Sequence, residues 1–203
     1  MKVVLIGATG MAGSQILKEL IERGHEIRAV VRSSERIFKH DQVTPYQADI
    51  NDSLTLIPIL TDQDAVISAV HFTDTRIECL IQAMKKAEVK RYLMVGGAGG
   101  LYLPNGERLV DSEKFPKQVR PEALAGIDIL EKLRQENELE WTVLAPSMLF
   151  RPKQRTQKFR LGKDDLLFNQ AGESEISVED YAIALVDELE CPQYIQQRFT
   201  VGY

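Results

Sequence analysis

The residues with the clearest chemical content stand at the start of the chain. An apolar run at residues 3–6 leads directly into Gly7-Ala8-Thr9-Gly10-Met11-Ala12-Gly13, and a helical pattern begins at once. A buried strand, a glycine turn and a helix start, in that order, form a seat for the pyrophosphate of a dinucleotide. Gly7 lets the chain leave the strand in a tight turn. Gly10 lacks the Cβ that would keep backbone N–H groups away from phosphate, and Gly13 lets the helix lie close to the sheet. The N–H groups of Met11 and Ala12, unpaired in a first helical turn, would point at the anion. Glycines also cluster in turns that bind nothing, so the surrounding pattern has to carry the reading.

That pattern is a βαβ unit. Ala12, Ile16, Leu17, Leu20 and Ile21 fall on one helical face, Gly24 stands where a helix end calls for positive φ, and residues 27–31 read as a second strand. An acidic residue at the end of that strand would hold the ribose 2′-hydroxyl of NAD. The strand runs instead into Arg32-Ser33-Ser34-Glu35-Arg36. A guanidinium beside hydroxyls suits a 2′-phosphate, so NADP(H) is expected in preference to NAD(H). A solvated basic loop is the plainer alternative.

The elements that must position these residues alternate along the chain. Strands are expected at residues 43–48, 65–70, 91–95 and 141–145, with helices at 53–60, 75–87 and 121–137. Residues 65–70 are apolar on both faces, as a central parallel strand requires. The alternation predicts an α/β fold, a Rossmann-like doubly wound parallel sheet with right-handed crossovers. Beyond it, residues 158–162 and 166–168 read as a small hairpin. Ser177 reads as the N-cap of a helix reaching residue 189, and 198–201 as a last strand. Residues 1–203 are expected to form a single domain, with 151–203 as a small C-terminal extension on the substrate side of the crevice.

Composition narrows the partners. The chain has 203 residues, 44% of them hydrophobic, and a formal charge of −5. That balance argues against nucleic acid, which needs a basic surface; the basic stretch at 151–163 is local. No run approaches the ~18 apolar residues of a membrane span, and the apolar run at 3–6 is too short for a signal peptide. The two cysteines, Cys79 and Cys191, and the three histidines, His25, His40 and His71, are scattered without metal-ligand spacing. A reducing, cytoplasmic setting is expected. Monomer and homodimer both remain open.

Further stretches carry a resemblance over nearly the whole chain. GATGMAG, VVRSSERI, RYLMVGGAGGLY and EWTVLAPSMLF resemble the atypical short-chain dehydrogenases. QKFRLGKDDLLF, SEISVEDYAIALVDELE and QRFTVGY narrow this to the bacterial branch called NADH-flavin reductases, related to biliverdin reductase B and NmrA-like proteins. The resemblance implies an NAD(P)H-dependent oxidoreductase that passes hydride to free flavin or a similar planar acceptor, with flavin as substrate rather than prosthetic group. Its NmrA-like side implies an alternative, a redox sensor that binds the dinucleotide without turnover. By position it implies that Gly7, Thr9, Gly10, Met11 and Ala12 line the pyrophosphate and that Arg32 and Ser33 meet the 2′-phosphate. Asp49 and Ile50 would face the adenine, Ala69, Val70 and His71 a ribose, and Pro146, Ser147 and Met148 the carboxamide.

Members acting on alcohols use a serine after the fifth strand and a Tyr-x-x-x-Lys pair that relays a proton. Here the serine position reads Gly96-Gly97, and none of the six tyrosines has a lysine four residues later. Hydride transfer to a flavin tolerates that loss, because the protein then has mainly to stack and orient two rings. Gly96 and Gly97 are candidate cofactor-side residues that would clear space for a flat ring; the same glycines also fit a loose surface loop. His71 is the candidate catalytic residue, able to donate to a substrate oxygen. Tyr102 can stack or pack, and Lys117 and Arg120 can hold an anion or simply be solvated. Phe150, Trp141 and Cys79 read as core residues.

Overall fold

The computed structural model describes residues 1–33, 37 and 39–203. Five consecutive strands, β1 (Lys2–Ile6), β2 (Glu26–Val31), β3 (Val43–Gln47), β4 (Ala65–Ser68) and β5 (Arg91–Val95), pair in parallel, and β6 (Glu140–Pro146) continues beside β5. With the tail strands the order is β3-β2-β1-β4-β5-β6-β10-β8, where β8 is Arg160–Gly162 and β10 is Gln197–Gly202. This is the doubly wound α/β sheet expected from the alternation of elements. The chain order reverses across the β1–β4 pair, so the connections that follow these strands run to opposite faces and leave a crevice there.

Both faces of the central strands are buried, which explains their continuous apolar sequences. Val3 and Leu5 of β1 face one core, packed by α1 (Met11–Glu22) and α5 (Val178–Glu190). Val4 and Ile6 face the other, packed by α2 (Ser53–Leu60), α3 (Ile77–Lys86) and α4 (Arg120–Arg134). Asp52 starts α2 by accepting from the N–H groups of Leu54 and Thr55 at 3.1 and 3.2 Å. Gly24, at φ +77°, ends α1 in the left-handed region where a side chain would be strained.

The C-terminal residues build part of the sheet and of its cover. β10 lies parallel to β6 within the sheet, and α5 covers the same face as α1. Ser177 caps α5 as expected, its Oγ accepting from the Asp180 N–H at 3.0 Å. The buried Asp180 carboxylate then ties three segments together. It accepts from the Thr156 N–H and hydroxyl, the Gln157 N–H and the Tyr203 hydroxyl. Arg91 and Glu188 form a buried ion pair at 2.9 Å, linking β5 to α5, and the Arg91 guanidinium also donates to Thr142 on β6.

Several expectations need correction. The hairpin of 158–162 with 166–168 does not form. β8 pairs antiparallel with β10, closing the free edge of the sheet, while Leu166 donates to the Tyr102 carbonyl at 2.9 Å. A long-range edge wins over the local turn because it satisfies a whole row of backbone groups. The fourth strand ends at Ser68, two residues early, because Ala69 and Val70 already belong to the crevice. Cys79 is half-buried on α3 rather than enclosed. Ser34, Glu35 and Arg36 of the expected basic loop lie outside the described residues. A short parallel pair, β7 (Leu149–Arg151) with β9 (Glu175–Ser177), stands apart from the main sheet.

Candidate functional site

A cleft of about 980 Å³ opens at the C-terminal ends of β1 to β5. Its floor is the glycine turn. Gly7 leaves β1 at φ +86°, and a Cβ there would sit 2.2 Å from the Ala69 carbonyl oxygen. Gly13 is equally constrained, since its Cβ would lie 2.0 Å from the Gly7 carbonyl oxygen. These two glycines thus let α1 press onto the β1 turn and the β1 turn onto β4. Gly10 occupies the N-cap, and its carbonyl accepts the first helical bond from Ser14 at 2.9 Å. The N–H groups of Met11, Ala12 and Gly13 therefore precede the helical ladder, at the positive end of the helix dipole. Thr9, Gly10, Met11 and Ala12 all line the cleft. The donor set fits a pyrophosphate.

Arg32 and Ser33, both exposed, line one end of the cleft. Among the described residues Arg32 pairs with no carboxylate. Asp49, Ile50 and Asn51 form the adjoining wall. Asn51 fixes that wall: its N–H donates to Asp49 Oδ1 at 2.8 Å, its amide donates to the Asp74 carbonyl at 2.7 Å, and its Oδ1 accepts from the Arg76 N–H at 2.7 Å. Sequence reading missed Asn51 and Asp74, whose contribution depends on two loops meeting in space.

The far end is formed by Ala69, Val70, His71, Val95 and Phe150. Phe150 is half-buried, packs against the core as expected and also lines the cleft, its ring 4.7 Å from that of Tyr181. Tyr181 is fixed in turn by a 2.6 Å bond to the Leu144 carbonyl. His71 is 77% exposed at this end, with Nδ1 3.3 Å from a carboxylate oxygen of Glu122 in the first turn of α4.

Other predicted residues lie outside this lining. Gly96 does not open space for a ring: a Cβ there would meet the Val143 side chain at 2.7 Å and the Leu144 carbonyl oxygen at 2.9 Å. Its missing side chain serves the packing of β5 on β6. Gly97 is filled in the same way, by the Phe72 ring 3.2 Å from its Cβ position. Pro146 is buried in β6, Ser147 is buried and donates to the Val201 carbonyl at 2.9 Å, and Met148 is exposed. None of these three reaches the cleft wall. Arg120 stacks on Phe115 at 5.8 Å, and Tyr102 bridges to 164–166 through its backbone. Part of the basic stretch is paired within the molecule, Lys153 with Glu175 at 2.5 Å and Arg155 with Glu22 at 2.6 Å.

Comparison with known proteins agrees with this geometry. The profile of the NAD(P)H-binding family matches residues 7–192. The Bacillus subtilis protein YwnB is 39% identical, over 99% of this chain and 98% of its own. A Bacteroides thetaiotaomicron structure, named as a candidate epimerase, superposes with a TM-score of 0.95 at 43% identity, covering 100% of this chain and 96% of its own. A Streptococcus pneumoniae structure, named as a candidate NADH-flavin reductase, gives 0.85 at 35% identity, covering 100% and 99%. The glycine turn, the strand order and these relatives together place the chain in the NAD(P)H-binding family.

Proposed function

We propose that this protein is an NADPH-dependent reductase that passes hydride to a free flavin or a similar planar acceptor. One observation carries the reading: the cleft joins an anion-binding end to an aromatic end. Helix N–H groups and Arg32, which pairs with no carboxylate among the described residues, suit a dinucleotide bearing a 2′-phosphate, and Phe150 with Val70 and Val95 offers a flat apolar wall beside the nicotinamide end. When bound, the dinucleotide supplies the hydride. The chain's own residues bind it, orient it and hold a second ring against it, which are positioning effects. The missing Tyr-x-x-x-Lys pair favours an acceptor that can take its proton later from solvent over a simple ketone. Such chemistry fits a cytoplasmic enzyme, where NADPH is supplied.

Steady-state oxidation of NADPH and NADH at 340 nm, with riboflavin, FMN, FAD and quinones as acceptors, tests the proposal. Saturable, acceptor-dependent oxidation that is faster with NADPH is expected. Tight NADPH binding without turnover on any of them would replace the reductase by a dinucleotide-binding regulator.

A further inference from the structure

Glu122 does not line the cleft, yet both its oxygens are committed to the loop beside it. Oε1 accepts from the Phe72 N–H at 2.6 Å and lies 3.3 Å from His71 Nδ1. Oε2 accepts from the Thr73 N–H at 3.1 Å and the Thr73 hydroxyl at 2.8 Å. Those partners stand about fifty positions earlier in the chain, so this is a tertiary lock between α4 and the β4–α3 loop. The lock has an apolar half. The Phe72 ring fills the space left by two glycines, 3.2 Å from the Cβ position of Gly97 and 2.8 Å from that of Gly126 on α4.

We infer that Glu122 is a positioning residue for the hydride-accepting end of the cleft, acting through His71. This rests on the reductase reading above. An ionised carboxylate can only accept, so the hydrogen shared with Glu122 belongs to His71 Nδ1. The other nitrogen, Nε2, is then the acceptor in the neutral ring, and in the imidazolium it is the donor. A donor at Nε2 can orient a heteroatom of the acceptor while hydride arrives at its electrophilic atom, and can relay one proton from solvent to it afterwards. The exposed imidazole then regains its proton from water, so the two-electron reduction balances with one hydride and one proton. Burial works against ionisation of Glu122, but the Phe72 and Thr73 donors hold its carboxyl below the usual carboxylate range. It thus stays charged across the neutral range where NADPH is used. Without this anchor the loop is still held, among the described residues, by the Thr75 bonds to the His71 and Phe72 carbonyls and by the Asn51 bonds to Asp74 and Arg76.

The test is Glu122→Gln in the full chain, with Glu122→Ala as the second variant. Glutamine matches the shape but brings an amide NH2 where an acceptor is needed. Three readouts are expected to move together. Ring ¹⁵N shifts of His71 change from the Nδ1–H form to a mixture of tautomers. Amide exchange at Phe72 and Thr73 quickens by about 10-fold. The kcat for NADPH oxidation with riboflavin falls roughly 10- to 100-fold, while the NADP⁺ dissociation constant changes less than about threefold. An unchanged His71 tautomer, or an unchanged kcat, overturns the inference. If the wild-type protein turns over no acceptor, the reductase reading fails. Tautomer and exchange then still decide whether Glu122 is the anchor.

Discussion

At the residue scale, Arg32 and Gly13 carry the most direct consequences. Arg32 stands free among the described residues at the end of the cleft where a 2′-phosphate would lie. Its removal should cost NADPH a charge-assisted contact of about 1.5–3 kcal/mol and cost NADH almost nothing. Calorimetric titration of Arg32→Ala is therefore expected to show an NADPH dissociation constant raised roughly 10- to 150-fold, with NADH nearly unchanged. Equal loss for both would remove the basis for NADP preference. Gly13 belongs to packing as much as to binding. A methyl group 2.0 Å from the Gly7 carbonyl oxygen forces α1 off the turn. Gly13→Ala should lower stability by about 1–3 kcal/mol and weaken both dinucleotides together, as denaturant unfolding and the same titrations would show.

At the scale of elements, the Asp180 knot explains why a motif in the tail is so informative. The carboxylate joins the start of α5, the 156–157 turn and the Tyr203 ring, and leaves these donors without partners if removed. Asp180→Ala should cost roughly 1–3 kcal/mol, seen as a Tm lower by several degrees, with NADPH affinity preserved because none of these groups lines the cleft. A large loss of affinity at unchanged Tm would contradict that assignment. The same elements mark how far the sequence could be read. Strands β1 to β6 and the start of α5 follow from apolar period, glycine turns and a serine cap, all local signals. The pairing of β8 with β10, the Glu122 lock and the Asn51 bridge join residues dozens of positions apart, and no local pattern encodes such meetings. Gly96 shows a different limit. A glycine after a strand can mean space for a ligand or the absence of space for a side chain, and only the position of Val143 decides.

At the scale of the whole molecule, carboxylates dominate the response to acid. Glu122, Asp180 and Glu190 all titrate below the ordinary range. Burial opposes this at each site, but donors such as Thr156, Tyr203, Arg23 and the Phe72 N–H prevail. A depressed folded value means that the stabilisation is complete above the unfolded pKa of about 4 and is lost as pH falls through the lower folded value. Thermal melts should thus give a Tm that is flat from about pH 7 to 5 and drops below about pH 4; a fall already complete near pH 6 would contradict it.

The central claim concerns the whole cleft, in which one end holds the dinucleotide and the other presents a ring to it. It is tested most directly by anaerobic stopped-flow mixing of the protein–NADPH complex with riboflavin, following 340 nm and 450 nm together. Matched, saturable decays of both signals are expected, slower when the transferred hydrogen is deuterium and slower with NADH. NADPH bound tightly but no protein-dependent bleaching at 450 nm would contradict it.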